Sequence, residues 1–236
     1  MKSRSQRAHF PKVTGPAPVG VGAFTLVELL VVVAIIGILA ALAFAPAKKM
    51  ISRAQGVACM SNLKQISAGL VAYAADNDGK LPPAANLASP SGQWYNVLEP
   101  YIGGGNLSWN STARPKWQQC PSQRFPKMSA LTVGYGWNYE NFGHDDWDGP
   151  GQANGGAFSR MAQVPRPART IIIGDSCDST DPADDFRHRY IYSSASFLWA
   201  QRHDGRGNYL FLDGHVESLT PAQLLSAKPS LFVKDK

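Results

Sequence analysis

One uncharged apolar run dominates the hydropathy pattern of the chain. It extends from Leu29 to Ala47, about 19 positions without an acidic or basic residue, and a helix needs roughly 20 such residues to cross a bilayer. The pattern therefore predicts a membrane-spanning helix, with Glu28 as a single acid at its start. An acid at this position is costly and usually functional, so Glu28 needs a partner.

The pattern after Pro46 changes to that of a half-buried helix. Turn-forming residues at 76–79 and the prolines at 82 and 83 predict that this helix ends near residue 76. Apolar residues recur at intervals of four and three, which places them on one face that packs on a globular domain. These residues are Cys59, Leu63, Ile66, Leu70 and Tyr73.

The second half of the chain has short segments typical of β-strands. Small and aromatic residues alternate over 131–139, and short apolar or aromatic runs occupy 170–173 and 189–192. Asp213-Gly214 between two apolar runs predicts a hairpin with positive φ at both turn residues. The predicted fold class is α+β: a long N-terminal α-helix, half transmembrane and half exposed, packed on a small antiparallel β-sheet domain with long loops.

Two short helices are predicted outside the long one. The first covers 93–99 and is ended by Pro100 and the glycines that follow. The second begins after Thr220, which is a capping residue followed by Pro221 at the first helical position and Gln223 at the third.

The charge balance changes once the N-terminal segment is considered separately. The chain carries 23 Lys and Arg against 17 Asp and Glu, a formal charge of +6. Residues 1–22 hold four of the cations and no acid, which predicts a cytoplasmic N-terminus. Without these four, 19 cations face 17 acids, and a net charge of +2 gives nucleic-acid binding little support.

The residues around the start of the apolar run resemble a known family. Ala-Phe-Thr-Leu-Val-Glu at 23–28, followed by the apolar helix, resembles the processing site and first helix of type IV prepilins and type II secretion pseudopilins. The resemblance implies that a prepilin peptidase cleaves between Ala23 and Phe24 and that Phe24 is N-methylated. Cleavage after Gly22 is the alternative, because Ala stands where Gly is commoner. A secretory signal peptide fits less well, since its apolar region is shorter than this run.

The resemblance also implies an assembly role for Glu28. Its carboxylate would neutralise the new amine of Phe24 on a neighbouring subunit inside the membrane, so that each charge compensates the other. The implied protein is a structural subunit of a type IV pilus or type II secretion pseudopilus, and not an enzyme. Its implied partners are the prepilin peptidase and methyltransferase, other pilin-like subunits and an inner-membrane assembly platform.

The resemblance divides the chain into four parts. It implies a leader peptide at 1–23, a transmembrane and polymerisation helix at 24–47, an exposed amphipathic half-helix at 48–78, and a globular pilin-like β domain at 79–236. It places this bacterial protein in the inner (cytoplasmic) membrane as a single-pass protein with its C-terminal domain extracytoplasmic, or in a periplasmic or surface filament.

A second resemblance lies near the C-terminus. His203 precedes Asp213-Gly214 by nine intervening residues, which resembles the H-x9-D-G signature of a domain carried by many prepilin-like proteins. One interpretation joins His203, Asp213 and His215 in a metal site. The other, which the turn chemistry of Asp213 favours, is that Asp213 forms the turn, His215 points from a strand, and His203 bonds a loop backbone.

Acidic residues and cysteines offer further candidate sites. The acidic segment 175–185 has clustered carboxylates, which suit calcium, but it lacks EF-hand spacing. It is therefore interpreted either as a calcium site or as a solvated loop. The calcium candidates are Asp175, Asp178, Asp181 and Asp184. No other cofactor is predicted.

The chain has three cysteines, so three disulfide pairings are available. An exterior location permits a Cys59–Cys120 disulfide that ties the helix to a loop and leaves Cys177 over. No C-x-x-C pair is present, which disfavours a structural zinc site.

The alternative function is a membrane-tethered extracytoplasmic binding module that does not polymerise and that holds a carbohydrate or a cation. Three tryptophans would either stack on a sugar or belong to the core of the domain. They are Trp94, Trp109 and Trp117. A hydrolase has less support, because the chain has no Gly-x-Ser-x-Gly nucleophile elbow.

Overall fold

A long helix followed by a mostly antiparallel sheet makes up the structure, a computed structural model. The structure describes residues 24–84, 92–104, 114–123, 133–142, 160–176, 190–191 and 201–231. The chain divides into two units, Met1–Pro46 and Ala47–Lys236. The helix-then-sheet order confirms the predicted α+β class.

The first helix, α1, spans Leu26–Asp76 and has 51 residues. Its start is a capping box: the Thr25 hydroxyl accepts a hydrogen bond from the Glu28 amide at 3.3 Å, and the Glu28 carboxylate accepts one from the Thr25 amide at 2.9 Å. It ends where Asp78 and Gly79 take positive φ values of 54° and 75°. The predicted end near residue 76 is therefore confirmed.

The described side chains at the N-terminal end of α1 are largely exposed. Twelve large apolar side chains between Phe24 and Leu39 have 46–80% of their surface exposed. Judged over the described residues, no helix is both long enough and apolar enough to span a membrane. The predicted span over 24–47 is not confirmed.

In the second unit, α1 packs against the globular domain through the predicted face. Cys59, Leu63, Ile66 and Leu70 are at most 2% exposed, and Tyr73 is partly buried beside Tyr101. The next helix, α2 (Trp94–Ile102), approaches α1 closely. A Cβ added to Gly69 of α1 would lie 2.3 Å from Cγ1 of Ile102, so a larger residue would displace the Ile102 side chain. The predicted helix face is confirmed.

Within the described residues, five strands form one sheet in the order β3-β1-β2-β4-β5. Four strands pair antiparallel, and the two-residue β3 pairs parallel with β1. One face packs on α1 and α2. The strands are β1 (Tyr135–Asn138), β2 (Ile171–Asp175), β3 (Tyr190–Ile191), β4 (Gly207–Phe211) and β5 (Val216–Leu219).

The short helices agree with the sequence except at one boundary. The predicted stop at the glycines is confirmed, since α2 ends at Ile102 and the amide of Gly103, at φ 93°, bonds the Glu99 carbonyl at 2.9 Å. The assignment of the stop to Pro100 is wrong, because the helix runs through that residue. A proline removes one amide donor, and the last turn survives that single loss.

The remaining helices lie at the ends of strands. The four-residue α3 (Tyr139–Phe142) follows β1 directly. The terminal helix, α4 (Pro221–Leu231), confirms the predicted capping box, in which the Gln223 amide donates to the Thr220 hydroxyl at 3.2 Å. Leu224 of α4 is fully buried against side chains of the sheet, namely Ile171, Ile191, Tyr209 and Phe211.

The predicted two-residue turn occurs, but at a different Asp-Gly pair. His203 and Arg206 exchange backbone hydrogen bonds of 3.0 and 3.1 Å around Asp204 and Gly205, whose φ values are 53° and 80°. Such a turn needs positive φ at both central residues.

At Asp213-Gly214 the prediction of two positive φ values is wrong, because only Gly214, at 92°, has one. Residues 212–215 form a four-residue loop between β4 and β5. A longer loop needs one left-handed residue where a two-residue loop needs two. The predicted hairpin itself is confirmed.

Candidate functional site

Four side chains with metal-ligating or nucleophilic atoms meet inside the second unit. Cys59 comes from α1, Cys120 from the segment after a 3-10 turn at Lys116–Gln118, Asp175 from the end of β2, and His203 from the two-residue turn. All four residues are buried, and their ligating atoms lie within 4.8 Å of one another. We call this group the four-residue cluster.

Local sequence explains why each segment can come so close. A Cβ on Gly134 would lie 2.4 Å from the backbone nitrogen of Cys120, so glycine is needed where the Cys120 segment crosses the start of β1. The Gly134 amide also donates to the Gln118 carbonyl at 2.7 Å. On the opposite side, a Cβ on Gly56 would lie 3.4 Å from Nδ1 of His203. The helix therefore reaches the imidazole with little space between them.

The distances inside the four-residue cluster are short. The Cys59 thiol donates to the two carboxylate oxygens of Asp175 at 3.5 and 3.7 Å. Nε2 of His203 lies 3.4 Å from Sγ of Cys120 and 3.2 Å from Oδ2 of Asp175. The atoms that could bind a metal are thus two sulfurs, one imidazole nitrogen and one carboxylate oxygen, and they face one another.

A second layer of contacts holds the Asp175 carboxylate and its surroundings. Arg202, with a side chain only 3% exposed, donates to Oδ1 of Asp175 at 3.3 Å. The Asn208 amide donates to Oδ2 at 2.8 Å. Arg202 also donates to the carbonyls of Gly134 at 2.7 Å and Ser176 at 2.6 Å, which fixes the guanidinium beside the acid.

The imidazole of His203 is held from its other side. Nδ1 lies 3.3 Å from the Ser122 hydroxyl, which in turn donates to Oε1 of Gln55 at 3.4 Å. An imidazole fixed in this way presents its Nε2 atom to the cluster in one orientation.

Burial and charge pull the pKa values of the acid and the imidazole in opposite directions. Burial raises the pKa of Asp175, but hydrogen bonds and charge from His203 and Arg202 outweigh it and hold that pKa below its usual range. Burial lowers the pKa of His203, while the hydrogen bonds to Asp175 and Cys120 outweigh it and raise that pKa to about 10. With no other ion bound, Asp175 and His203 form a buried ion pair at neutral pH.

The two thiols differ although they are neighbours. Burial raises the pKa of Cys59 well above its usual range. The hydrogen bond with Cys59 lowers the pKa of Cys120 to about 7, helped by His203 and Arg202. Cys120 is therefore the thiol that ionises first, and a thiolate is the form that binds metals and acts as a nucleophile.

The structure brings the predicted disulfide partners together but does not join them. Both Cys59 and Cys120 are free cysteines in this structure, and the disulfide stays a prediction. Each sulfur takes part in hydrogen bonding, Cys59 with Asp175 and Cys120 with His203. Cys177 lies outside the described residues.

Of the two predicted metal sets, that of His203, Asp213 and His215 is not brought together, and the calcium set is described only at Asp175. Asp175 lies in the four-residue cluster, while the other calcium candidates, Asp178, Asp181 and Asp184, lie outside the described residues. His203 contacts Asp175, whereas Nδ1 of His215 contacts Asp213 and its ring stacks on Phe211.

The favoured interpretation is wrong for the His203 side chain, whose partners are the side chains of Cys120, Ser122 and Asp175. It is also wrong for His215, which lies in the loop ahead of β5 and not on a strand. The His203 backbone does bond within its turn, through Arg206, but its side chain is buried in the cluster. Asp213 does form a turn contact, because its carboxylate accepts the His215 amide at 3.1 Å.

Sequence reasoning found the members of the cluster separately and missed their combination. The four positions share no local spacing, and a C-x-x-C pair, the signal used for zinc, is absent. Arg202 was missed entirely. Its signal was its position, because it precedes His203 directly and therefore enters the same tight turn.

The predicted processing site is only partly described. Ala23 lies outside the described residues, and Phe24 is exposed. Glu28 has a partner that sequence reasoning missed, because its carboxylate accepts the Thr25 hydroxyl at 2.8 Å in addition to the Thr25 amide. The Thr-x-x-Glu pattern ahead of an apolar run is the signature of a capping box, and it was readable in the sequence.

The tryptophans belong to the core where the structure describes them. Trp94 is fully buried and stacks on Trp137 at 5.8 Å between ring centroids, and Nε1 of Trp117 donates to the Gly103 carbonyl at 2.7 Å. The carbohydrate-stacking alternative is therefore wrong for Trp94 and Trp117, because their ring faces are covered by protein. Trp109 lies outside the described residues.

Comparison with known proteins identifies the N-terminal segment. Residues 21–44 match the family described as the prokaryotic N-terminal methylation motif. No solved structure matches the chain. The match supports a type IV pilin-like protein that is a substrate of a prepilin peptidase. The H-x9-D-G resemblance stays a prediction.

Proposed function

We propose that the chain is a structural pilin-like subunit that assembles into a type IV pilus or a type II secretion pseudopilus after its leader, residues 1–23, is removed. The methylation motif at 21–44 is the observation that carries this proposal, because it covers the cut site and the start of α1. Before assembly the subunit is anchored in the cytoplasmic membrane, with residues 79–236 as its extracytoplasmic domain.

The processing chemistry needs two steps at one peptide bond. Hydrolysis between Ala23 and Phe24 consumes one water and leaves a carboxylate on the leader and an amine on Phe24. Methylation then replaces one hydrogen of that amine and requires a methyl donor. Both steps are the work of the peptidase and methyltransferase, so this chain is the substrate and not the enzyme.

The exposed apolar surface of α1 supports the proposal that lipid or other subunits cover this part of the helix. The twelve large apolar side chains exposed between Phe24 and Leu39 would be costly to leave in water, at about 25 cal/mol for each Å² of apolar surface. Lipid before assembly, and neighbouring helices after it, would remove that surface from water. A helix that served the globular domain alone would not need this surface.

The contacts of Glu28 are compatible with its proposed assembly role. The carboxylate accepts two hydrogen bonds from Thr25, both through Oε2. A carboxylate has about four acceptor positions, so it retains the capacity to bind an amine. In the proposal, that amine is the N-terminus of Phe24 on the neighbouring subunit.

The test is the N-terminal sequence and intact mass of the full chain, recovered from membranes of cells that contain a prepilin peptidase. The proposal expects a mature chain that begins with methylated Phe24. A matched sample from cells without the peptidase should retain Met1. An intact Met1 in both samples, or a cut near Ala45, would overturn the proposal, and a chain that begins at Ala23 would move the cut by one residue.

A further inference from the structure

We propose that the four-residue cluster binds one zinc ion in a closed structural site that joins α1 to the sheet. The four ligands would be Sγ of Cys59, Sγ of Cys120, Oδ2 of Asp175 and Nε2 of His203. All four belong to the second unit, so the site does not depend on filament assembly.

The spacing of the donor atoms fits a tetrahedral ion. Zinc bonds of about 2.3 Å to sulfur and about 2.0–2.2 Å to nitrogen and oxygen place neighbouring ligands of a tetrahedron about 3.3–3.8 Å apart. The Cys59–Asp175 distances are 3.5 and 3.7 Å, the Cys120–His203 distance is 3.4 Å and the His203–Asp175 distance is 3.2 Å. The remaining pairs of ligand atoms lie within 4.8 Å of one another, so an ion at the centre would draw those side chains closer by about 1 Å.

The donor types favour a transition metal such as zinc over calcium or magnesium. Thiolates and imidazole favour zinc, whereas calcium and magnesium take oxygen ligands almost exclusively. Four protein ligands fill a tetrahedral coordination shell, and all four residues are buried. A closed shell leaves no position for a reacting water, which is the arrangement of structural zinc sites rather than catalytic ones.

The surrounding charges balance the complex. Two thiolates and one carboxylate carry three negative charges, which the two positive charges of zinc do not fully compensate. Arg202, buried beside Asp175, supplies the remaining positive charge. It contacts Oδ1, while Oδ2, the oxygen nearer His203, accepts the Asn208 amide and keeps a second acceptor position for the metal. A buried site with no net charge avoids the cost of an uncompensated ion.

The imidazole has the outer contact that a metal ligand requires. With Nε2 facing the cluster, Nδ1 carries the proton and donates to the Ser122 hydroxyl at 3.3 Å. Ser122 is itself held by Gln55. Ligating histidines almost always donate their other ring N–H to such a partner, which fixes the tautomer and the ring orientation.

Metal analysis of the full chain, purified in detergent under reducing conditions with zinc supplied, tests the site directly. We expect one zinc per chain in the unaltered protein. Cys120→Ser and His203→Gln should lose the zinc, while His215→Gln, which changes a partly exposed histidine of the β4–β5 loop, should retain it. Folded unaltered protein without zinc, or a His203→Gln variant that keeps it, would overturn the proposal.

A second measurement uses only the unaltered protein, because a variant could lose zinc simply by failing to fold. The unaltered full chain is stripped with a chelator and titrated with cobalt(II), which absorbs strongly in the visible range when four ligands including thiolates surround it. We expect saturation at one cobalt per chain and displacement by zinc. If the stripped protein keeps its circular dichroism spectrum and takes up no cobalt, the proposal fails.

The oxidation state of the two cysteines distinguishes zinc binding from a disulfide. Zinc binding needs both thiols, so in a Cys177→Ser background the protein from its natural compartment should show two thiols that react with an alkylating agent only after chelation. A mass lower by two hydrogens, with Cys59 and Cys120 in one cross-linked peptide, would overturn the zinc assignment.

Discussion

Replacing Gly134 with alanine should separate the Cys120 segment from the sheet. The new methyl group would start 2.4 Å from the Cys120 nitrogen and 3.1 Å from two backbone atoms of Gln119, whereas ordinary contacts begin at 3.4 Å. Backbone must therefore move by about 1 Å, because no flexible side chain is available to give way. The same movement strains the 2.7 Å hydrogen bond from the Gly134 amide to the Gln118 carbonyl.

The magnitude follows from these two losses. Overpacking of a filled core costs about 1–3 kcal/mol, and the net loss of one hydrogen bond costs about 0.5–1.5 kcal/mol. Gly134→Ala should therefore lower the free energy of unfolding by about 2–4 kcal/mol. With a urea dependence of about 2–3 kcal/mol per molar, the midpoint should fall by about 1 M.

The matched control is Gly56→Ala, on the other side of the same cluster. Its methyl group would meet Nδ1 of His203 at 3.4 Å, an ordinary contact. Alanine also favours a helix over glycine by about 0.5–1 kcal/mol, so this variant should be as stable as the unaltered protein or more stable.

Urea unfolding of the full chain, followed by the fluorescence of the buried Trp94 and Trp137, measures both variants. The reasoning is refuted if Gly134→Ala unfolds at the same urea concentration as the unaltered protein. It is also refuted if both glycine variants are destabilised equally, because the closer backbone contact at Gly134 would then not explain the loss of stability.

Two further predictions concern α1. Leu63 is fully buried, so Leu63→Ala should cost about 2–5 kcal/mol of unfolding free energy, whereas Val71→Ala on the exposed side should change it by less than about 0.5 kcal/mol, both measured by urea unfolding. Glu28→Gln keeps an acceptor for the Thr25 cap but removes the charge, so it should abolish assembly, while Thr25→Ala removes the hydroxyl and should leave assembly largely intact. Filament recovery by shearing or cross-linking checks this pair, and assembly that survives Glu28→Gln would exclude charge pairing.

Local signals in the sequence predicted the features that depend on near neighbours. The buried face of α1 followed from intervals of three and four residues, and the Thr220 cap of α4 followed from three residues within four positions. The Asp-Gly turn was chemically right but assigned to the wrong pair, because the residues that decide loop length lie in the strands on either side. Asp204-Gly205 and Asp213-Gly214 are identical dipeptides, and pairing alone distinguishes them.

The four-residue cluster depends on contacts that no local signal contains, and Asp175 shows the reason most clearly. The predicted strand ended at residue 173, which left Asp175 in an acidic loop and made it a calcium candidate. The strand in fact continues through Asp175, paired with Tyr135 of β1. Two more residues of strand therefore carry the carboxylate from solvent into the core, where Arg202 and His203 compensate its charge. An error of two residues in a strand boundary did not affect the predicted fold class. It did change the chemistry predicted for Asp175, from an exposed oxygen ligand for calcium to a buried carboxylate beside two cysteines and a histidine.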